Sequence, residues 1–261
     1  MSKLKIALVQ IEITEADPPQ NTEKVLGFMD KAVGEGAKLI VLPELWPIGF
    51  APLELDTYAE TFDGPSVNIM RDWAKEKNCY LLAGSIPEMS PHGIFNKSYL
   101  FGPKGQVLGE YSKLHLFDLM GEKDTFIAGD KIMTADVEGF RVGVMLCYDL
   151  RFPELAREYA LNGVNLLLVP AMWPDVRIGH WDVLLRARAV ENQIFVAGCN
   201  VVGNMTELYF PGQSMIVNPF GNTLNEPNNR ESLIIREINS KDIDTCRDTI
   251  KYIDDRRDDV Y

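Results

Sequence analysis

Residues 6–42 decide the fold, and they read IALVQIEITEADPPQNTEKVLGFMDKAVGEGAKLIVL. The stretch begins and ends with short apolar runs rich in β-branched residues, Ile6–Val9 and Leu39–Leu42, which are typical of buried strands. Between them, the apolar residues of Asn21–Glu35 fall on one helical face, and Gly36 follows where helices often end. The stretch therefore predicts a strand–helix–strand unit.

The same alternation continues along the chain. Four more apolar runs predict buried strands at Tyr80–Ala83, Val142–Leu146, Leu166–Val169 and Ile194–Ala197. Helical patterns lie between strand candidates at Ser66–Lys77, Pro153–Asn162 and His180–Glu191. This order favours a layered α/β fold.

Two segments depart from the alternation. Strand-like pieces within Asn96–Glu110 flank the turn GPKG, which predicts a hairpin and therefore a mixed sheet. A later strand pair is predicted at Ser214–Val217 and Leu233–Arg236. Since no linker composition interrupts residues 4–239, we expect one domain over residues 1–261, in which residues 240–261 form a tail that packs on the body or on a partner subunit.

The composition excludes several classes of protein. With 46% hydrophobic and 25% charged residues, the chain matches a globular protein that buries a substantial core. Its formal charge of -12 would repel a nucleic-acid backbone. No apolar run approaches the roughly 18 residues of a membrane span, and the amino terminus lacks the pattern of an export signal. We therefore expect a cytoplasmic protein with neither a nucleic-acid nor a membrane partner.

The four cysteines are scattered along the chain, at Cys79, Cys147, Cys199 and Cys246. Neither CxxC spacing nor paired histidines accompany them, so the sequence predicts reduced thiols and no metal site. It also lacks a glycine-rich phosphate loop, and we expect no cofactor.

Two charged residues stand at the ends of predicted elements. Glu44 follows a buried strand, where α/β sheets tend to form ligand sites, so it is a candidate base or a cap of a neighbouring turn. Lys113 follows the hairpin and is a candidate oxyanion stabiliser, although most lysines are simply solvated. His115, between two leucines, is interpreted as a hydrogen-bonded core residue.

Cys147 stands where a buried strand runs into a polar turn, in the segment VMLCYDLRFPE at residues 144–154. Pro153 suits the first turn of a following helix. This pattern predicts a nucleophile elbow, in which the side chain projects into accessible space beside backbone N–H groups, although an isolated cysteine is often a small buried hydrophobe. Together with Glu44 as proton acceptor and Lys113 as fixed positive charge, the thiol indicates a cysteine hydrolase.

Three segments resemble the signatures of the nitrilase, or carbon–nitrogen hydrolase, superfamily, in the family's order. They are LPEL at residues 42–45, YSKLHLF at 111–117 and LCYDLRFPE at 146–154, and the similarity continues through LRARAVENQ at 185–193. The resemblance implies an α-β-β-α sandwich with mixed sheets, usually dimerised into an αββα–αββα assembly. It also implies a small-molecule amide substrate.

The resemblance assigns roles to individual residues. It implies that Glu44 is the base, Lys113 the oxyanion stabiliser and Cys147 the nucleophile that becomes acylated. Glu122 matches a second glutamate that often supports the site, and the backbone N–H of Tyr148 would complete the oxyanion hole.

Further residues look like the ω-amidase branch of the superfamily, which hydrolyses 2-oxoglutaramate and 2-oxosuccinamate. They are Phe117, the segment CYDLRFP at residues 147–153, Trp173-Pro174, His180-Trp181, the segment DDRRD at residues 254–258, and Tyr261. The branch implies that Cys147 attacks the terminal amide of a small dicarboxylate monoamide. Ammonia then departs, and water aided by Glu44 releases the acid.

A carboxylated substrate requires a cationic or amide-rich end of the pocket. Arg177, in a loop after Trp173, is the preferred candidate, whereas Arg151 and Arg188 are interpreted as braces of the fold through buried ion pairs. Phe117 and Trp173 are candidate apolar walls of the pocket, or else ordinary core aromatics.

Other functions remain open at this point. Sister branches of the superfamily act on deaminated glutathione or on N-carbamoyl amines with the same catalytic groups. A papain-like hydrolase would use His115 or His180 as base. A different class of protein, a catalytically idle dimeric scaffold, would retain Cys147 as a redox-sensitive thiol.

Overall fold

The computed structural model describes residues 1–50, 55–205 and 207–260. In chain order, its strands are β1 (Lys3–Gln10), β2 (Leu39–Val41), β3 (Tyr80–Leu82), β4 (Ile86–Ser90), β5 (Gly93–Phe101), β6 (Val107–Ser112), β7 (Thr134–Val137), β8 (Phe140–Val144), β9 (Leu166–Ala171), β10 (Phe195–Asn200), β11 (Val202–Met205), β12 (Leu208–Pro211), β13 (Met215–Val217) and β14 (Ser232–Asn239). Its helices are α1 (Pro18–Gly34), α2 (Leu55–Tyr58), α3 (Pro65–Lys77), α4 (Glu122–Thr125), α5 (Pro153–Leu161), α6 (Ile178–Asn192) and α7 (Lys241–Thr249).

The strands form two larger sheets and one small ribbon. The first sheet has the order β14-β1-β2-β3-β5-β4, with β6 paired to β5, and the second has the order β13-β10-β9-β8-β7. In the first sheet β1, β2 and β3 are parallel, while β14 and β5 join them antiparallel. In the second, β8, β9 and β10 are parallel, flanked by antiparallel β7 and β13. The predicted mixed sheets are thus confirmed.

The two sheets pack face to face over a common apolar core. Their parallel strands are covered on both faces, which is why these strands read as continuous apolar runs in the sequence. From the first sheet Ile6 and Leu8 contribute to this core, and from the second Val142, Val144 and Leu168. Helices α1 and α3 pack on the outer face of the first sheet, and α5 and α6 on that of the second. The result is the α-β-β-α sandwich that the resemblance implies.

Helix α1 begins three residues before the predicted Asn21–Glu35. The Asp17 side chain caps its first turn by accepting the N–H of Gln20, and two prolines occupy the opening positions, where no N–H is needed. The face predicted to be buried is buried, with Val25 and Met29 fully enclosed.

The predicted pairing of Ser214–Val217 with Leu233–Arg236 is wrong. Both segments form strands, but β13 pairs with β10 in the second sheet and β14 pairs with β1 in the first. The loop between them is long enough to cross from one sheet to the other. Local sequence therefore predicts the strands but not their partners.

The segment after residue 239 contacts the body next to the end of α6. The Gln193 side chain donates to the carbonyl of Cys246 at 3.2 Å and to that of Ile250 at 2.8 Å. Tyr261, part of the predicted tail, lies outside the described residues. Among the residues that the structure describes, no helix combines the length and the apolar character needed to cross a bilayer. The cytoplasmic location stays a prediction.

Candidate active site

The acid, the amine and the thiol singled out in the sequence line one cavity. Glu44 follows β2, Lys113 follows β6 and Cys147 follows β8, so strand ends of both sheets contribute. The cavity has a volume of about 30 Å³, which is room for about one or two water molecules. Its lining is completed by Leu45, Phe50, Phe117, Met120, Glu122, Met172 and Phe210. A charged centre thus lies among apolar walls.

Glu44 is fixed by donors to both of its carboxylate oxygens. Oε1 accepts from Asn96 Nδ2 at 2.9 Å and from Lys113 Nζ at 2.8 Å, and Oε2 accepts from the backbone N–H of Met172 at 3.0 Å. The residue is only 2% exposed, and a carboxylate is buried to this degree only when such partners compensate for lost hydration. The next residue, Leu45, has a positive φ of 45°. The backbone therefore bends sharply beside the acid.

Lys113 lies between two carboxylates. Its Nζ donates to Glu44 Oε1 at 2.8 Å and to Glu122 Oε1 at 2.6 Å. Burial opposes the charged form of the amine, but attraction to the two carboxylates outweighs it and raises the pKa of Lys113. The amine is therefore a fixed positive charge.

Glu122 ties the loop after Lys113 to this centre. It begins α4, and its Oε2 accepts the backbone N–H of Phe117 at 2.8 Å. Burial raises the pKa of Glu122, attraction to Lys113 lowers it, and repulsion from Glu44 raises it further, with a net upward shift. Glu122 thus positions both the amine and the Phe117 backbone.

Cys147 occupies a sharp turn between strand and helix. Strand β8 ends at Val144, a 3₁₀ turn begins at Cys147, and α5 begins at Pro153. Cys147 itself has a positive φ of 44°, a conformation that non-glycine residues adopt mainly where the surroundings enforce it, often at functional sites. This is the predicted nucleophile elbow. The thiol donates to the carbonyl of Met172, with 3.6 Å between Sγ and oxygen.

The buried carboxylate of Asp149 holds the elbow in place. It accepts the backbone N–H groups of Leu146 at 3.0 Å and His115 at 2.9 Å, and the hydroxyl of Tyr111 at 2.7 Å. No role was predicted for Asp149 from the sequence. Its position two residues after the nucleophile, in a turn between two buried elements, is the signal that indicates such a brace.

The electrostatics of the cavity keep the resting thiol protonated. Burial raises the pKa of Cys147, the Glu44 carboxylate raises it further, and the Lys113 ammonium only partly offsets both. A thiol in this state becomes a nucleophile only by losing its proton during attack. Glu44, whose carboxylate lines the same cavity, is the acceptor available for that proton.

The predicted substrate contacts lie at different depths. Phe117 lines the cavity, and its ring lies 4.8 Å from that of Tyr148. Trp173 is nearly buried, and Asn200 holds its backbone at both ends, accepting its N–H at 2.7 Å and donating to its carbonyl at 3.0 Å. The Arg177 guanidinium lies over the Phe117 ring, 5.3 Å from its centroid. Of these four side chains, only Phe117 contacts the cavity itself.

The two other arginines differ from each other. Arg188 is a brace, as interpreted: it donates twice to the Leu150 carbonyl, at 3.0 and 2.9 Å, and forms an ion pair with Glu191 at 2.9 Å. The interpretation of Arg151 as a second buried ion-pair brace is wrong. Its half-buried guanidinium lies over the Trp173 ring, 4.6 Å from the centroid, because the 3₁₀ turn directs the side chain towards the site's outer rim.

The two candidate histidines lie outside the cavity lining. His115 Nδ1 bonds Asp149 at 2.8 Å and its ring stacks on Phe152, with 3.5 Å between centroids. His180 Nδ1 accepts from Arg151 Nη1, at 3.2 Å. His115 is hydrogen-bonded as interpreted, but it is half-buried and does not belong to the core. Neither ring contacts the cavity of Cys147.

Asn96 is a further site residue, for which no role was predicted from the sequence. It lies on β5, directs Glu44 through its amide, and accepts the backbone N–H of Lys113 at its carbonyl, at 3.0 Å. Asn96 is fully buried, and a buried side-chain amide usually has hydrogen-bond partners. Because Lys97 and Ser98 follow it, the strand sequence alone does not reveal this burial.

The centre of the site is occupied by a protein cation. Lys113 Nζ lies where a metal ion between Glu44 and Glu122 would be bound. Among the described residues, no group of three histidine, cysteine or acidic side chains is arranged to hold a metal ion.

Known proteins are similar to this chain in both sequence and fold. The 2-oxoglutaramate amidase of Bacillus subtilis is 35% identical over 259 residues, which cover 99% of this chain and 100% of that protein. The omega-amidase NIT2 of Homo sapiens is 34% identical over 271 residues, covering 100% of this chain and 98% of that protein.

Solved structures give the same picture. The CN-hydrolase superfamily protein XC1258 from Xanthomonas campestris, described with an arsenic adduct in its active site, superposes with a TM-score of 0.93 at 31% identity, covering 98% of each chain. A mutant amidase from Nesterenkonia sp. AN1 superposes with a TM-score of 0.88 at 29% identity, covering 99% of this chain and 95% of that chain. In that structure the acetamide moiety of fluoroacetamide is added covalently to the active-site cysteine. The family model described as carbon-nitrogen hydrolase matches residues 5–248, and the chain belongs to this family.

Proposed function

We propose that this enzyme is an ω-amidase, which hydrolyses the terminal amide of a small dicarboxylate monoamide such as 2-oxoglutaramate or 2-oxosuccinamate. The observation that carries the proposal is the convergence of Cys147, Glu44 and Lys113 on one small cavity. The full-length similarity to the 2-oxoglutaramate amidase of Bacillus subtilis and to human omega-amidase NIT2 supports the substrate.

In the first half-reaction the Cys147 sulfur attacks the amide carbon, and its proton passes to Glu44. The negative charge that develops on the amide oxygen is stabilised by Lys113 and by the backbone N–H of Tyr148. Glu44 then returns the proton to the amide nitrogen, the carbon–nitrogen bond breaks, and ammonia leaves a thioester on Cys147. The Nesterenkonia amidase whose active-site cysteine carries a covalent adduct supports the assignment of a cysteine as the nucleophile.

In the second half-reaction a water molecule attacks the thioester carbon. Glu44 accepts a proton from that water, and the proton finally restores the thiol when the carbon–sulfur bond breaks. Glu122 supports both steps through its hydrogen bonds to Lys113 and to the Phe117 backbone. The net reaction consumes one water and yields the dicarboxylic acid and ammonia.

The remaining assignments are part of the same proposal. Phe117 and Trp173 provide apolar walls, and Arg177 pairs with the far carboxylate of the substrate. Residues 1–261 form one catalytic domain, with the segment after residue 239 packed on it, and two copies assemble as a homodimer.

Ammonia release from three compounds tests the substrate. The purified chain is supplied with 2-oxoglutaramate, deaminated glutathione and N-carbamoylputrescine. We expect the first to be hydrolysed fastest, since the chain is similar over its full length to the 2-oxoglutaramate amidase of Bacillus subtilis and to human omega-amidase NIT2. A chain that releases ammonia only from the carbamoyl compound would contradict the ω-amidase assignment.

The variant Cys147→Ala separates an enzyme from a scaffold. We expect it to lose turnover while its melting temperature stays close to that of the wild type, because only a half-buried sulfur is removed. Cys246→Ala, which removes a cysteine of α7 remote from the cavity, is the matched control and should keep its turnover. A wild type without turnover on any amide would leave the scaffold as the better description.

A further inference from the structure

Met172 contacts both the base and the nucleophile through its backbone. Its N–H donates to Glu44 Oε2 at 3.0 Å, and its carbonyl accepts the Cys147 thiol, with 3.6 Å between sulfur and oxygen. Met172 directly follows β9, where the chain leaves the second sheet. The direction of these two backbone groups therefore affects where the acid and the thiol lie.

The carbonyl of Met172 and the N–H of Trp173 belong to one peptide group. A peptide group is planar and trans, so its carbonyl and its N–H point in opposite directions, and a partner that holds the N–H also directs the carbonyl. Asn200 Oδ1 accepts this N–H at 2.7 Å. The Asn200 side chain therefore holds the Met172 carbonyl in its direction towards Cys147, from the opposite side of the peptide group.

Two further bonds fix the orientation of the Asn200 amide. Its Nδ2 donates to the carbonyls of Trp173 at 3.0 Å and Gly212 at 2.7 Å, so the amide oxygen, not the nitrogen, faces the Trp173 N–H. Asn200 is completely buried at the end of β10, in register with Ala171 at the end of β9. The amide cannot turn over without losing these bonds inside the protein, where no water replaces them.

Buried polar side chains also hold the backbone of Asn200. The Ser214 hydroxyl accepts the Asn200 N–H at 2.9 Å, and Gln10 Oε1 accepts the Ser214 N–H at 2.8 Å. Gln10 Nε2 in turn donates to the carbonyl of Arg230 at 2.7 Å. Gln10, Asn200 and Ser214 are completely buried, and paired polar networks of this kind make a core rigid. The network joins β1 of the first sheet to β10 of the second.

We propose that Asn200 is a positioning residue for the reaction, which holds the Met172–Trp173 peptide group so that Cys147 and Glu44 keep the geometry needed for proton transfer. A shift of this segment would move the acceptor of the thiol and the donor to the acid together. Alignment of reacting groups contributes to the rate of the chemical step more than to substrate binding, so kcat rather than KM should depend on Asn200. The inference rests on the amidase function proposed above.

Asn200→Leu, which has a similar size but no hydrogen-bonding group, tests the proposal kinetically. We expect kcat for 2-oxoglutaramate to fall about 10- to 100-fold, while KM changes by less than about threefold. Gln193→Met is the matched control, since Gln193 is also a buried amide that donates to two backbone carbonyls, those of Cys246 and Ile250. None of these three residues lines the cavity. The control should lose stability but keep its kcat, and equal kcat losses in both variants would overturn the proposal.

Asn200→Asp separates the acceptor of the side chain from its two donated bonds. A carboxylate oxygen can still accept the Trp173 N–H, while the carbonyls of Trp173 and Gly212 lose the amide donor. We expect this variant to melt at a lower temperature than the wild type and yet to keep more of its kcat than Asn200→Leu. If kcat instead follows the melting temperature through all three variants, Asn200 only stabilises the fold and the proposal is wrong.

The infrared S–H stretching band reports the hydrogen bond of the Cys147 thiol without any turnover. A thiol that donates a hydrogen bond absorbs at lower frequency than a free thiol, and subtracting the spectrum of the matching Cys147→Ala protein isolates this band. We expect the band to move to higher frequency in Asn200→Leu and to stay in place in Asn200→Asp and Gln193→Met. The same band in the wild type and in Asn200→Leu would contradict the proposal.

These measurements separate failure of the inference from failure of the proposed function. If the wild type hydrolyses no amide but its Cys147 band moves in Asn200→Leu, the proposed function fails and the hold of Asn200 on the thiol stands. If the wild type hydrolyses 2-oxoglutaramate while Asn200→Leu keeps its kcat and its band, the function stands and the inference is wrong.

Hydrogen exchange of the Trp173 amide in the wild type decides the case if Asn200→Leu does not fold. Because Asn200 Oδ1 accepts this N–H within a completely buried network, we expect it to exchange only through global unfolding of the chain. Fast exchange through a local opening would show that Asn200 does not hold the peptide group, and would overturn the proposal.

Discussion

At the scale of single residues, the chemistry depends on a thiol that is protonated at rest. Burial and the Glu44 carboxylate raise the pKa of Cys147 well above its ordinary value of 9.0. The thiolate fraction is therefore small at neutral pH and grows as the pH rises. Proton transfer to Glu44 has to accompany attack, which distinguishes this centre from a preformed thiolate–imidazolium pair.

Alkylation by iodoacetamide tests whether the Cys147 thiol is protonated at rest. In the wild type we expect the rate of Cys147 alkylation to keep rising with pH up to at least about pH 9, without a plateau near neutrality. Glu44→Gln removes the carboxylate that raises the thiol pKa, so at pH 8 it should be alkylated faster than the wild type although its amidase turnover is lost. A rate that levels off near pH 6–7 would instead indicate an imidazole partner.

Lys113 gives the clearest stability effect of a single residue. Lys113→Met leaves Glu44 and Glu122 buried without a cation, and breaking such a pair costs about 3–5 kcal/mol in the free energy of unfolding. Because the pKa of Lys113 is raised above its ordinary 10.5, the amine is charged in both states at pH 7 and its contribution is present in full there. It is lost only as the pH rises through the folded-state pKa.

Denaturant unfolding at pH 7 measures this effect. Lys131→Met is the matched control, because Lys131 is an exposed lysine paired with Glu110 at 3.4 Å, and exposed pairs contribute about 0–1 kcal/mol. Equal midpoints for Lys113→Met and Lys131→Met would show that the buried triad does not stabilise the fold.

At the scale of elements, the strand-to-helix elbow depends on Asp149. Asp149→Ala leaves the Leu146 N–H and the Tyr111 hydroxyl buried without an acceptor, at a cost of about 1–3 kcal/mol for each donor. Because the turn that places Cys147 is then no longer held, we expect kcat to fall by a larger factor than the factor by which KM rises. Asp136→Ala, on β7, removes an exposed carboxylate 3.8 Å from Arg141 and should change neither. Unchanged kcat in Asp149→Ala would show that Cys147 keeps its position without the brace.

The elements also show what local sequence can and cannot predict. Strand β9 was predictable because a strand buried on both faces is a continuous apolar run. Helix α1 was predictable because its buried residues recur with the helical period. The partners of β13 and β14 were not, since pairing depends on how a long loop crosses between sheets. Arg151 shows the same limit within the site: its place in the motif was visible, but the direction of its side chain depends on a turn and on Trp173, which follows 22 residues later.

At the scale of the whole molecule, one apolar stripe lies open to solvent. Val176, Val183 and Val190 are spaced seven residues apart, and the last two therefore share a face of α6. They are 67%, 62% and 43% exposed. Exposed apolar residues grouped on one side of a folded protein can mark a contact with another chain, and the stripe offers a surface for the homodimer that we propose.

Sedimentation tests the dimer and the role of the stripe. We expect a mass of twice 29.4 kDa for the wild type, and a shift towards the single-chain mass for Val183→Glu, which would bury a carboxylate without a partner in the interface. Val107→Glu, on the β5–β6 hairpin, is the matched control and should leave the mass unchanged.

Because each copy carries a charge of -12, the dimer should also dissociate more readily at low ionic strength, where repulsion between the copies is poorly screened. A single-chain mass for the wild type at every concentration and salt would exclude the dimer, and an unaltered dimer of Val183→Glu would place its interface elsewhere.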